Sequence, residues 1–245
     1  MRGEGYIMTS RRYDVLLCDA DDTLFDFLKA EANAFAIACE AAGFSSTPEL
    51  LSLYSRINDA LWKELERGGI TQAVLRVRRF EQFLEATGRP GDPAAIADIY
   101  AEALGRQAIP LEGALEAVTR WSEILPVVIV TNGISQIQRG RMALSPIRHV
   151  ISGMVVSEEV GVAKPDPRML FEAMRVAGVE DPRRALMLGD SLTSDIAGAA
   201  NAGVDACWFN RHGKKNERGL PIRYEITSLL EVDDILLGRR EEARG

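Results

Sequence analysis

The sequence of 245 residues predicts an α/β fold, a doubly wound parallel sheet with helices on both faces and an all-helical segment inserted into it. Three observations predict it. Short apolar runs, Val15 to Cys18, Val127 to Val130, Ala185 to Leu188 and Asp205 to Phe209, alternate with helical stretches. Between Leu28 and Gln107 no strand-like run occurs at all. Three of the apolar runs end abruptly in acids or in Thr-Asn-Gly, at the edge where open α/β sheets bind ligands.

The first run, Val15 to Cys18, is short, partly β-branched and uninterrupted, which suits a strand buried on both faces. It stops at Asp19, followed by Asp21 and Asp22. An extended backbone would turn Asp19 and Asp21 to one side. Two carboxylates roughly 4 Å apart repel by about 4 kcal/mol at an effective dielectric near 20. A fold that keeps such a pair protonates one of them or binds a cation between them. The plain reading is a solvated turn in which Asp22 caps a helix.

Four helices are expected next. Leu28 to Ala42 stops at Gly43; a second starts at Thr47-Pro48, N-cap then first-turn proline, and runs to Arg67. Thr71 to Thr87 stops at Gly88, and Asp92-Pro93 opens a fourth that ends near Gln107. The insertion is the size of a small domain. It gives a core of residues 1–26 and 109–245 and a helical unit of residues 27–108, placed over the strand ends as a lid.

The alternation then resumes. Leu111 to Ile124 reads as a helix, Val127 to Val130 as a strand ending in Thr131-Asn132-Gly133, and Ser135 to Leu144 as a helix. Met154 to Val156 is a short strand, Gly161 to Pro165 a loop, and Asp166-Pro167 opens a helix that stops at Gly178. Ala185 to Leu188 leads into Gly189-Asp190, and Ser194 is expected to cap a small-residue helix, Asp195 to Ala202. Asp205 to Phe209 and the weaker Ile222 to Ile226 complete the strands, before a closing helix, Ser228 to Leu237. The first residues should fray, and the charged tail from Arg239 should be disordered.

A net charge of −7 with no long basic run argues against a nucleic-acid polymer as partner, and no apolar run approaches membrane-spanning length. Neither fact excludes a small anionic substrate, because a local cation can reverse the field in a cleft. Cys18, Cys39 and Cys207 are few and far apart, neither a disulfide framework nor a zinc set, and point to a reducing, cytoplasmic setting. Strand alternation turns Cys18 away from Asp19, into the core. With only His149 and His212 present, histidine-based catalysis is disfavoured.

The convergent strand-end residues fit phosphoryl transfer from a monoester. That reaction needs a nucleophile, neutralisation of three phosphoryl oxygens and an acid for the leaving group. Asp19 can attack phosphorus, and Asp21 can protonate the leaving oxygen and then activate water. Asp19 and Asp190 offer oxygen ligands to Mg²⁺, with Asp195 holding it through water or a hydrogen bond. Thr131 and the backbone at Asn132 and Gly133 can donate to phosphoryl oxygens. Lys164 would neutralise the phosphate and restrain Asp19. The plain readings are a strand-to-helix turn for Thr131 to Gly133, a surface lysine for Lys164 and an early-helix acid for Asp195.

Taken together, Asp19-Ala20-Asp21-Asp22-Thr23, Thr131-Asn132-Gly133, Lys164-Pro165 and Gly189-Asp190 with Asp195 resemble the four motifs of the haloacid dehalogenase-like hydrolase superfamily, in the family order and over nearly the whole chain. The resemblance implies a Rossmann-like core with the first-motif strand central, a type 1 cap, a Mg²⁺ requirement, and metal ligation that involves Asp19, Asp21, Asp190 and Asp195. The second acid, Asp21, marks the phosphatases rather than the dehalogenases. The stretches Asp19 to Phe27, Ser157 to Pro165 and Ala206 to Asn210, with Leu61-Trp62 and Gly69 to Thr71, are similar to the pyrimidine 5′-nucleotidase branch.

The reading is therefore a phosphatase acting on a small phosphate monoester, a pyrimidine nucleoside monophosphate, as a monomer or homodimer with no membrane or nucleic-acid polymer as partner. Trp62, Phe80 and Phe83 are stacking candidates for the base, against the plain reading of cap-core packing. The rivals are a sugar-phosphate or phosphoglycolate phosphatase, a phosphomutase, and a catalytically silent binding module.

Overall fold

The computed structural model describes residues 11–240, so the expected fraying of the first residues lies outside it, as does most of the tail. Six strands form one parallel sheet: β1 (Val15–Cys18), β2 (Val127–Thr131), β3 (Gly153–Val156), β4 (Ala185–Gly189), β5 (Asp205–Phe209) and β6 (Tyr224–Ile226), in the order β3-β2-β1-β4-β5-β6. β1 is central and every residue in it is buried, which is why its sequence is apolar without alternation.

Alternate residues of the strands feed two cores. Leu16, Cys18, Ile129 and Leu188 point to one face, under α5 (Ala114–Ile124) and α10 (Val232–Leu236). Leu17, Val128, Met187 and Trp208 point to the other, under α8 (Arg168–Ala177) and α9 (Ala197–Ala202). Cys18 is fully buried in the first core, on the face opposite Asp19, and all three cysteines are free thiols.

Between β1 and α5 lie four helices, α1 (Phe27–Ala41), α2 (Pro48–Glu66), α3 (Gln72–Thr87) and α4 (Pro93–Gly105), with no strand among them. Their punctuation matches the sequence. Thr47, Thr71 and Asp92 accept hydrogen bonds as N-caps, and Gly88 closes α3 in the left-handed conformation. These helices have their own core, an aromatic cluster of Phe35, Tyr54, Phe80, Phe83 and Tyr100.

Of the boundaries that differ from expectation, three have a clear local reason. Asp26, not Asp22, caps α1 through Lys29 N; Asp22 instead sits at φ 59° in the turn after β1. The helix expected from Leu111 begins at Ala114, because Pro110 and Leu111 pair with Phe25 and Leu24. Asp26 N also donates to Ile109 O at 2.9 Å, so the two chain segments leading into and out of the four helices run side by side. Finally, Ser191 rather than Ser194 caps the segment after β4, which opens as a π-helical turn, Leu192–Ile196, before α9. No helix among the described residues is long and apolar enough to cross a membrane.

Candidate active site

The chain leaves β1 for the four helices, fills β2 and β3 on one side, then crosses to β4 on the other. The ends of β1 and β4 therefore flank the point where strand order reverses, where an open α/β sheet has its crevice. Asp19 and Asp190 are the first residues beyond these two strands, and Asp19 N donates to Leu188 O at 2.9 Å. Asp195 returns to the same spot from the π-helical turn, its Oδ2 accepting from Ser191 N at 3.1 Å. Asp19, Asp190 and Asp195 each bring one oxygen within 4.8 Å of the others.

Lys164 closes the cluster and is no surface lysine, being 1% exposed. Its Nζ lies 2.6 Å from Asp19 Oδ1 and 2.7 Å from Asp195 Oδ1, and donates to Val130 O at 2.5 Å. The Asn132 side chain holds the Lys164 backbone twice, donating to its carbonyl at 2.8 Å and accepting from its N–H at 2.7 Å. Thr23 donates to Asp19 Oδ2 at 3.2 Å, so Lys164 and Thr23 together fix the rotation of the Asp19 carboxylate. Thr131 Oγ1 accepts from Gly133 N at 3.0 Å, leaving its O–H hydrogen to donate elsewhere.

The electrostatics are unbalanced. Burial would lower the Lys164 pKa, but Asp19 and Asp195 outweigh it and raise it. Burial also pushes Asp19 well above the usual carboxylate range, with Asp195 and Asp190 adding to the push and Lys164 opposing it. Burial and the charges of Asp195 and Asp22 push Asp190 up to about 7. Three carboxylates thus face one ammonium. An all-oxygen donor set with this excess of negative charge fits a hard divalent cation.

A cleft of about 180 Å³ opens onto these groups, with Asp19, Asp21, Thr131, Asn132, Asp190 and Asp195 in its wall and Phe27 and Trp62 reaching it from the helices. It adjoins a second cavity of about 370 Å³ that shares Phe27 and Asp190 and is walled by Ser55 and Asp59 of α2. Ser55, Asp59 and Trp62 are spaced as one face of that helix.

Two expectations need correction. Asp21 lies in the cleft wall but does not join the acid cluster as a metal ligand through its side chain; its Oδ1 pairs with Arg141 and its Oδ2 accepts from Gln138 Nε2 at 2.5 Å. Asp19 and Asp21 do line the same cleft, but Arg141 and Gln138 hold both oxygens of the Asp21 carboxyl away from the three clustered acids. Phe80 and Phe83 are 1% exposed in the aromatic core of the four helices and line neither cavity; of the three stacking candidates, Trp62 alone reaches the cleft.

Sequence reasoning also passed over Gln138 and Arg141 on α6 (Ser135–Leu144), which are 3% and 0% exposed. Their spacing placed two long polar residues on one helix face, the one available signal. Gln72 of α3 was passed over as well; its Nε2 donates to Asn132 O at 2.8 Å and to Ser157 Oγ of the single turn α7 (Ser157–Val160) at 3.1 Å, joining the helices to the Thr131 to Gly133 loop.

Fold and site define a class: an α/β enzyme with strand-end acids lining one cleft and a buried lysine paired with two of them. A family model for haloacid dehalogenase-like hydrolases matches residues 13–203. The chain belongs to that family, and it is a hydrolase. It is similar to the pyrimidine 5′-nucleotidase YjjG of Escherichia coli, 31% identical over 230 residues that cover 92% of this chain and 98% of that one. It is also similar to the pyrimidine 5′-nucleotidase PynA of Streptococcus pneumoniae, 34% identical over 227 residues covering 91% and 95%. The crystal structure of the HAD-hydrolase YfnB from Bacillus subtilis, bound to magnesium, superimposes with a TM-score of 0.86 at 32% identity, covering 92% of this chain and 99% of that one.

Proposed function

We propose that this protein is a magnesium-dependent phosphatase that hydrolyses pyrimidine nucleoside 5′-monophosphates through a phosphoryl group carried transiently on Asp19. The observation that carries the reading is the buried Lys164 ammonium set between Asp19 and Asp195, two of the acids that line the cleft together with Asp190 and Thr131. It is supported by the similarity to nucleotidases along almost the entire chain.

Asp19, Asp190 and Asp195 would hold the magnesium ion, which would supply positive charge to the phosphoryl oxygens and favour the ionised nucleophile. Lys164 and Thr23 keep the Asp19 carboxylate in one orientation for in-line attack. Lys164 and the Thr131 hydroxyl neutralise charge that spreads over the phosphoryl oxygens. One Asp19 oxygen forms a bond to phosphorus as the ester P–O bond breaks, and Asp21, protonated before the attack, gives that proton to the departing alkoxide. Asp21 then takes a proton from water as that water bonds to phosphorus. The bond from phosphorus to Asp19 breaks, and inorganic phosphate leaves. The leaving nucleoside lies toward the α2 face, where Trp62 and Phe27 offer apolar surface and Ser55 and Asp59 offer hydrogen-bonding groups. Closure of the helices over it keeps bulk water from the first step.

A panel of phosphate esters tests the reading. Uridine and thymidine 5′-monophosphates should release phosphate faster than sugar phosphates and phosphoglycolate, with none of the phosphate returned to substrate. Equal or better turnover of the sugar phosphates would remove the nucleotidase assignment. Transfer of phosphate back to substrate would make the protein a mutase. Activity of Asp19→Asn equal to that of the native protein would remove the mechanism.

A further inference from the structure

We propose that Gln138 and Arg141 are positioning residues for Asp21, and that Arg141 ties the placement of that carboxyl to the chain segment returning from the helical unit. The inference deepens the reading above and rests on it for the role of Asp21. Five observations point the same way. Both oxygens of Asp21 are engaged from α6, Oδ1 by Arg141 and Oδ2 by Gln138, so the carboxyl cannot rotate without releasing a partner. The Arg141 guanidinium is itself fixed. Its side chain is 0% exposed, it lies 4.8 Å from the Phe25 ring centre, and its Nε donates to Gln107 O at 3.1 Å.

Gln107 belongs to the return segment just beyond α4, and its Oε1 accepts from Asn33 of α1 at 3.1 Å. Arg141 therefore holds the acid with one nitrogen and, with another, a segment that is itself bonded to α1. The backbone of α6 is seated on the same helices. A Cβ at Gly140 would stand 2.9 Å from Gly105 O, the last residue of α4, so the two helices touch main chain to main chain. On the cleft side, a Cβ at Gly133 would stand 2.2 Å from Gln138 Nε2, so glycine there opens the path by which Gln138 reaches Asp21. A short helix thus contacts the helical unit with one residue and the acid with the next. Buried arginine and glutamine are costly to hold in place, and here both end on one catalytic carboxyl.

The test compares an ester that needs protonation of its leaving group with one that does not. Uridine 5′-monophosphate has a poor alkoxide leaving group, and para-nitrophenyl phosphate a stable phenolate. Misplacement of a reacting group by about 1 Å costs about a hundredfold. Gln138→Ala and Arg141→Lys should lower kcat on the nucleotide by about ten- to a hundredfold. KM should stay close to native, and the aryl ester should lose several times less. Added to Asp21→Asn, Gln138→Ala should cause no further loss. Thermal melts accompany each variant; if Arg141→Lys fails to fold, Gln138→Ala carries the test. Equal losses on both esters, a change confined to KM, or a further loss on top of Asp21→Asn would overturn the inference alone. Native activity in Asp21→Asn would overturn the acid–base role and the inference with it.

Discussion

Gly189 and Asp195 occupy each other's space: a Cβ at Gly189 would stand 2.2 Å from Asp195 Oδ2. The missing side chain at the end of β4 is what lets the Asp195 carboxylate fold back beside Asp190 and reach Lys164. Gly189→Ala should displace Asp195 and weaken magnesium binding about 10- to 100-fold, the usual cost of losing an orienting partner. Calorimetric titration with magnesium checks it; native affinity in the variant would show that Asp195 has no part in the ion's site.

Lys164→Met should lower kcat about 10²- to 10³-fold, as expected for removing one preorganised charge contact. It should also destabilise the metal-free protein, because breaking a buried ion pair costs about 3–5 kcal/mol. With the ammonium gone, the acids bind a cation more strongly, so magnesium should raise the melting temperature of this variant more than that of the native protein. An equal or smaller rise would contradict the charge argument.

Asp190 gives a pH signature. Burial, with Asp195 and Asp22 adding to it, raises its pKa from the ordinary 3.8 to about 7 in the metal-free fold. The folded state then holds more protons than the unfolded state between those values, so this group's contribution to stability falls as pH rises from about 4 to about 7, and stays unfavourable above that. Asp22, raised to about 6 chiefly by burial and Asp21, acts in the same direction. Metal-free Asp190→Asn should therefore be more stable than the native protein at pH 8 and lose that advantage near pH 4, as read by denaturant melts. Magnesium affinity of the native protein should rise through the same window, because the ion requires the deprotonated acid. A difference curve flat with pH would contradict the raised pKa.

Phe80 and Trp62 should separate packing from recognition. Phe80→Ala removes a ring stacked on Tyr54 and should cost about 3–5 kcal/mol of stability without altering the order of preferred substrates. Trp62→Ala, at the cleft wall, should raise KM for nucleotides with a smaller loss of stability. A change of substrate order in Phe80→Ala, measured on the ester panel, would contradict this division.

Much of this was legible in the sequence because the underlying signals are local. The β1 run needs no alternation when both faces are buried, and Thr47, Thr71 and Asp92 announce their helices by cap chemistry. The ends of strands in a parallel sheet share an edge, so Asp19 and Asp190 could be brought together from strand order, while Lys164, in the loop before α8, was placed by its position between the strand-end motifs. What stayed hidden depends on long-range packing. Asp21 meets Arg141 across 120 residues of chain, and Phe25 pairs with Pro110, contacts that no local pattern announces. An aromatic residue in an amphipathic helix reads the same whether it packs inward, as Phe80 does, or reaches a cleft, as Trp62 does.

The central claim is tested most directly by stopping turnover in acid and locating any covalent phosphoryl group by mass spectrometry of the digested protein. The account predicts one phosphoryl group, on the peptide containing Asp19, labile to hydroxylamine and missing from Asp19→Asn. Phosphate carried on a different residue, or continued turnover by Asp19→Asn, would contradict it.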